Sequence, residues 1–276
     1  MHAPGEGRFH GKMVSKIIIF LLFTTTLIFH TSFLCGDAQA LTFLDDYWGA
    51  DDHGKGDVIG SPGLFNISSA DVNLSGTILT VDINTNFAGE GHKGHFASST
   101  VDPEGIGYGD LFLSSDWIPY GTPLSYTDDQ NTNGTIWTYG FVLDNRWSAT
   151  GGGGQLYELN GATNNANALL SEDFIKDTAT FRTGQEVAVD IEKNDVTSFS
   201  TGTWSIQTGF IRFIIDIDNT DLLSGNQIAL HWGPTCANDV VEGSVSVPEP
   251  ATLLLFGTGL IGFAGVRRRK FWNRNN

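Results

Sequence analysis

The chain has 276 residues, 40% hydrophobic and 12% aromatic with 34 glycines, a composition that excludes a disordered, collagen-like or polytopic membrane protein. Its net charge of −16 hides a sharper asymmetry: 28 of the 31 Asp and Glu, but only seven of the 15 Lys and Arg, lie between residues 41 and 247, a net −21. A body this acidic is repelled by phosphate backbones, which argues against a nucleic-acid partner.

From Met13, the more natural start, "MVSKIIIFLLFTTTLIFHTSFLCGDAQA" has a basic residue at Lys16, an apolar run from Ile17 to about Phe29, and small residues at Ala38 and Ala40 around Gln39. This pattern predicts a signal peptide within residues 1–40, handled by the Sec translocon and cleaved before Leu41. The rival is an uncleaved anchor helix, which has no need of the small-residue site. Cys35 leaves with the leader, so Cys236 has no disulfide partner and the body depends on its core.

Residues 41–246 are predicted as one acidic domain. Near its start, "LDDYWGADDHGKGD" carries Asp45, Asp46, Asp51, Asp52 and Asp57 among glycines that permit tight loops. Several carboxylates on such loops suit calcium, although the spacing is not that of an EF-hand. Turn initiation by Asp and Gly is the competing explanation.

Further on, the apolar pattern has period two. In "TILTVDINTNF", Leu79, Val81, Ile83 and Phe87 share a face opposite Thr80, Asp82, Asn84 and Asn86. In "TWSIQTGFIRFIIDI", Ile211, Phe213, Ile215 and Ile217 do the same, with Gly209 read as a bulge or bend. Other strand candidates are 64–72, 111–114, 136–143, 156–159, 187–191 and 228–232, and "ANDVVEG" also reads as strand. "SPG", "LSG", "DDQNTNG" and "ATGGGG" read as turns. Helical signal is confined to a turn or two in "NALLSEDFIK" and one capped turn in "NTDLLSG". Many short strands with polar loops predict an all-β, two-sheet sandwich of jelly-roll type.

Candidate chemistry in the body is thin. His92 and His95 have a spacing that zinc could use, but no Cys or acid is read alongside to complete a ligand set. Asp216, Asp218 and Asp221 could hold a cation or simply cap the next turn. Cys236 would need a base such as His231 and a helix behind it to act as a nucleophile. Glu158 and Glu186 are the glutamates on predicted strands or strand edges that a glycoside hydrolase could use as its carboxylate pair. Gly151 to Gly154 lack the Lys-Ser/Thr of a phosphate loop. Trp48, Trp117, Tyr120, Trp137, Tyr139, Trp147, Trp204 and Trp232 form a rich aromatic set, which either stacks on sugar rings or fills the core.

Beyond residue 247 the chemistry changes. Pro248, Glu249 and Pro250 precede an apolar run, 251–266, and then Arg267, Arg268, Arg269 and Lys270. As a helix that run reaches roughly 24 Å, a marginal span, and the arginines would hold its end on the cytoplasmic side. Together these residues resemble the PEP-CTERM sorting signal of Gram-negative bacteria. The resemblance implies recognition by an exosortase, processing near the Pro-Glu-Pro triplet, and display on the cell surface or in the extracellular matrix. The resemblance further implies a strain that makes exopolysaccharide, and so an association with that polymer or with biofilm. Blocks of the body, "DDYWGADDHGKGDVIG", "GDLFLSSDWIPYG", "WTYGFVLDN" and "ALHWGPTCANDVVEG", look like those of exosortase-dependent surface proteins. The expectation is a non-catalytic surface protein with calcium as its one candidate cofactor. The alternatives are a carbohydrate-binding module and a secreted polysaccharide hydrolase.

Overall fold

The structure is a computed structural model that describes residues 39–50, 54–123, 125–160, 166–176, 181–247 and 259. The predicted leader with Ala38, the acids Asp51 and Asp52, Pro248, Glu249 and Pro250, the 251–266 run apart from Gly259, and Arg267, Arg268 and Arg269 lie outside the described residues. The described strands all belong to one compact unit. Among the described residues no helix is long and apolar enough to cross a membrane.

The body is all-β. In chain order its strands are β1 (Gln39–Leu44), β2 (Ile67–Ser75), β3 (Ile78–Thr85), β4 (Leu111–Ser114), β5 (Tyr139–Leu143), β6 (Gly151–Leu159), β7 (Ala168–Leu170), β8 (Glu186–Val189), β9 (Val196–Gln207), β10 (Phe210–Asp216), β11 (Gln227–Trp232) and β12 (Val241–Ser246). Between them the described residues include two single-turn α-helices, α1 (Pro62–Phe65) and α2 (Ser171–Phe174), and a 3-10 turn, Asp221–Leu223. Ten strands form one antiparallel sheet in the order β1, β2, β3, β10, β9, β6, β5, β4, β11, β12, while β7 and β8 pair separately.

The sheet curls until its two edges approach and nearly closes into a barrel. No ladder joins β1 to β12; instead the Phe43 ring lies on Gly243, where a Cβ would sit 2.6 Å from Phe43 Cε2. Leu41 and Val72 on one side and Ile228, Val245 and Val247 on the other line a small cavity at this seam. Inward residues alternate as the periodicity predicts: Leu79, Val81 and Ile83 of β3 and Ile211, Phe213 and Ile215 of β10 are fully buried. β4 and β11 are buried on both faces. Phe112 and Ala229 on their outer side pack with Trp137, Leu159 and Val189 under the β7–β8 ribbon.

Several expectations need correction. The two-sheet jelly-roll is replaced by one rolled sheet, because β10 pairs with β3, β9 with β6 and β4 with β11 in an unbroken ladder. Gly209 is the φ +82° residue of a two-residue hairpin turn, where a positive φ favours glycine, and is neither bulge nor bend. Gly151 to Gly154, read as a turn, begin β6. Leu64 and Phe65 belong to α1, whose first position holds Pro62, a residue suited to a helix start. Ala40 lies in β1, paired with Asn73, so cleavage before Leu41 removes two residues from that strand and leaves Leu41 to Leu44.

Candidate functional site

Loops at one end of the barrel bring distant acids together. Asp45 follows β1 directly, Asp57 lies in the loop before α1, and Asp239 stands two residues before β12; each offers a carboxylate oxygen, all within 4.8 Å of one another. Asp239 is wholly buried and is held by backbone donors, Ile67 N to its Oδ2 at 2.6 Å and Val240 N to its Oδ1 at 3.0 Å. Asp45 Oδ1 accepts from Tyr47 N at 3.3 Å, whereas Asp45 Oδ2 and Asp57 Oδ1 are shielded from solvent with no donor. Burial, then mutual repulsion, pushes the carboxyls of Asp45 and Asp239 well above the usual range, and burial raises Asp57 as well.

Among the described residues a buried cation stands beside them. Arg182, fully buried, donates to the carbonyls of Gly49, Gly56 and Asp57 and so braces the loop that carries the acids. Its charge favours the ionised form of all three carboxylates. Of the acids anticipated from sequence, Asp45 and Asp57 join the group. Asp46 is exposed and contributes only repulsion toward Asp57, and Asp51 and Asp52 are not described. Asp239 escaped sequence reading because it sits inside a stretch that reads as strand, with no acidic run to mark it.

A second buried group surrounds His231. Its Nδ1 lies 3.1 Å from Glu242 Oε2 and its Nε2 2.9 Å from the Glu186 carbonyl. Both ring nitrogens face oxygen atoms, an arrangement that favours the imidazolium form. Trp117 Nε1 (2.9 Å) and Thr135 Oγ1 (3.3 Å) donate to the other oxygen of Glu242. Burial opposes the charge on His231, but the hydrogen bond and charge of Glu242, with that of Glu186, lift its pKa above the ordinary 6.5. Nearby, burial and then the charge of Glu242 push Asp129 from 3.8 to about 8.

These two shifts give the body a defined pH dependence. A raised pKa means the fold holds its proton after the unfolded chain has lost it, so stability is greatest below the unfolded value and falls as pH rises through the folded one. Asp129 acts from 3.8 to about 8 and His231 from 6.5 upward, in the same direction. The melting temperature should therefore decline by roughly 5–10 °C between about pH 5 and pH 9. Glu242→Gln should flatten the upper part of the curve. Thermal melts across that range check this; a melting temperature that rises with pH overturns it.

The remaining candidates resolve individually. His92 and His95 stack with ring centroids 4.4 Å apart, and Glu90 does lie alongside, its Oε2 3.7 Å from His95 Nδ1, contrary to the expectation that no acid is near. Asp216 Oδ1 accepts from Asp218 N and Asp218 Oδ2 from Asn219 Nδ2, so these acids serve the local turn. Cys236 is buried and its thiol is pushed up to about 12 by burial, far from the state a nucleophile needs. Glu186 is buried beside His231, while Glu158 is half-buried on β6. Of the aromatic set, Trp137, Tyr139, Trp204 and Trp232 are core, and Trp48 and Tyr120 are exposed.

Comparison with known proteins bears on the tail. Residues 246–270 match the PEP-CTERM protein-sorting motif. No curated protein and no solved structure matches the chain.

Proposed function

We propose that this PEP-CTERM sorting-signal protein, an exosortase-dependent exported surface protein, serves as a non-catalytic component of an exopolysaccharide-rich surface layer or biofilm. The observation that carries this reading is the junction between fold and signal. The motif begins at residue 246, which is the last residue of β12, and the final backbone bond of the body runs from Val247 N to Asn226 O at 3.0 Å. Pro248, Glu249 and Pro250 thus follow the last described strand in the chain, and cutting there removes none of the described strands. Extended backbone around prolines is what a peptidase requires, since the ring excludes helix.

Support for a non-catalytic body comes from what its reactive groups already do. Cys236 is buried and neutral, and His231 spends both ring nitrogens on Glu242 and the Glu186 carbonyl. The net charge of −21 between residues 41 and 247 suits a hydrated, soluble surface layer. Exposed Trp48 and Tyr120 offer flat faces for sugar rings.

The test is fractionation of wild type and of the Glu249→Ala/Pro250→Ala double variant, with immunoblots of inner membrane, outer surface and medium. Wild type should appear at the surface without its arginine cluster, and the variant should accumulate uncleaved in the inner membrane at least tenfold above wild type, roughly 1.4 kcal/mol in the partition. In a strain that makes no exopolysaccharide, processed wild type should shift to the medium. Equal surface display of both proteins overturns the sorting role of the triplet, and unchanged retention without polymer overturns the matrix role.

A further inference from the structure

Three carboxylates in a largely buried cluster are an unstable arrangement unless something offsets their repulsion. Asp45, Asp57 and Asp239 have ligand oxygens within 4.8 Å of one another, and only Asp239 has both oxygens satisfied by backbone donors. Asp45 Oδ2 and Asp57 Oδ1 are each closed off from water and receive no hydrogen bond. Buried acceptors left without donors are rare, and two of them inside one acidic cluster point to an absent electrophile.

The charge and the donor chemistry identify its class. Ionised together, the three carboxylates repel one another, and among the described residues the Arg182 guanidinium offsets only part of that charge. Every donor in the group is oxygen, with no imidazole or thiolate, and hard divalent cations of the calcium and magnesium type prefer such a set. Asn238, next to Asp239 in the chain, is also buried and has an unpartnered Oδ1. We propose that Asp45, Asp57 and Asp239 bind one divalent cation, calcium in preference to magnesium, and that this cation clasps the open seam of the barrel.

Calcium is preferred because the three carboxylates come from separate loops, an arrangement that suits its flexible coordination, whereas magnesium demands a rigid octahedron and retains its waters. The clasp follows from the topology. Asp45 immediately follows β1, and Asp239 lies just ahead of β12; these are the two edge strands that no ladder connects. Asp239 also anchors Ile67 at the start of β2. A cation held by both residues ties the sheet's edges together at one end, while Phe43 on Gly243 packs them further along. Asp57 brings in the loop that Arg182 braces. The site is independent of the sorting tail, so its failure leaves the sorting reading untouched.

The test uses the full chain purified in detergent and freed of metal by EDTA. Addition of millimolar calcium should raise the melting temperature by roughly 5–10 °C, the shift expected when ligand exceeds its dissociation constant about a hundredfold. Magnesium at the same concentration should give less than half of that shift. Asp45→Asn and Asp57→Asn preserve shape, and each should abolish the calcium shift while raising the melting temperature in EDTA, because a like charge has been removed. Terbium provides a readout that does not depend on melting. The Trp48 ring lies 3.6 Å from where a Cβ on Gly56 would be, adjacent to Asp57, so terbium emission sensitised through the protein's aromatic rings should appear, be displaced by calcium, and fall severalfold in Asp57→Asn. Identical melting curves in EDTA and calcium, or full calcium shifts retained in both Asn variants, overturn the proposal. A magnesium shift equal to that of calcium overturns the stated preference.

Discussion

Asp110→Ala should lower the stability of the body by about 3–5 kcal/mol, the cost of breaking a buried ion pair from one side. Asp110 is buried, and its two oxygens accept four hydrogen bonds: from Leu143 N at 3.1 Å, from Val189 N at 2.8 Å, and from Arg146 Nη2 at 3.2 and 3.1 Å. Alanine leaves two amides and a guanidinium whose side chain is only 12% exposed without their acceptor. Because Leu143 ends β5 and Val189 ends β8, the lost carboxylate is also one of the links between the β7–β8 ribbon and the barrel, beside the Asp110 N to Val187 O and His231 to Glu186 O bonds. At about 2–4 °C per kcal/mol, the melting temperature should fall by roughly 6–20 °C. Amide exchange at Leu143 and Val189 should accelerate beyond that of β3. A loss below about 1 kcal/mol would show that water replaces the carboxylate and that the ribbon is held by its apolar contacts.

Gly202→Val should cost about 3 kcal/mol through steric conflict, again a fall of roughly 6–12 °C. Gly202 of β9 pairs directly with Gly154 of β6, and the buried Phe141 ring from β5 lies across both. A Cβ at Gly202 would approach Phe141 Cε2 to 2.8 Å, and one at Gly154 would approach Cε1 to 2.7 Å, with the Ile214 carbonyl also crowding Gly202. Phe141 in turn meets Phe213 edge-on with centroids 6.2 Å apart, so the ring cannot turn aside without disturbing β10. In a Phe141→Leu background the same valine should cost less, a coupling of about 1 kcal/mol or more between residues in contact. Additive losses in the double variant would place the conflict in the backbone rather than in the ring.

The glycines of β6 illustrate where sequence reading fails and why. Four consecutive glycines carry no side-chain pattern, so they read as a turn, although Gly154 and Gly202 are crowded by the Phe141 ring from a third strand together with the Val142 and Ile214 carbonyls. The same holds for Asp239, whose role depends on two loops far from it in sequence. By contrast Leu79, Val81 and Ile83 announce their burial locally, since alternation in one strand needs only a face to be covered.

What the sequence determined by itself was therefore whatever has a short-range signature. This includes the all-β class from period-two alternation, the acidic nature of the body, and the Pro-Glu-Pro, apolar and arginine tail at 246–270. It also includes Asp45 and Asp57 as candidate ligands, because Asp and Gly marked that loop. Only the tertiary structure decided that the strands form one rolled sheet rather than two, for sandwich and barrel share the same alternation and differ only in which distant strands exchange hydrogen bonds. It also brought Asp239 to Asp45 and Asp57 and set Arg182 beside them, and it turned His231 and Glu242 into a buried pair. Such pairings are set by the closure of the sheet, and closure is a property of the whole chain that no local run of residues encodes.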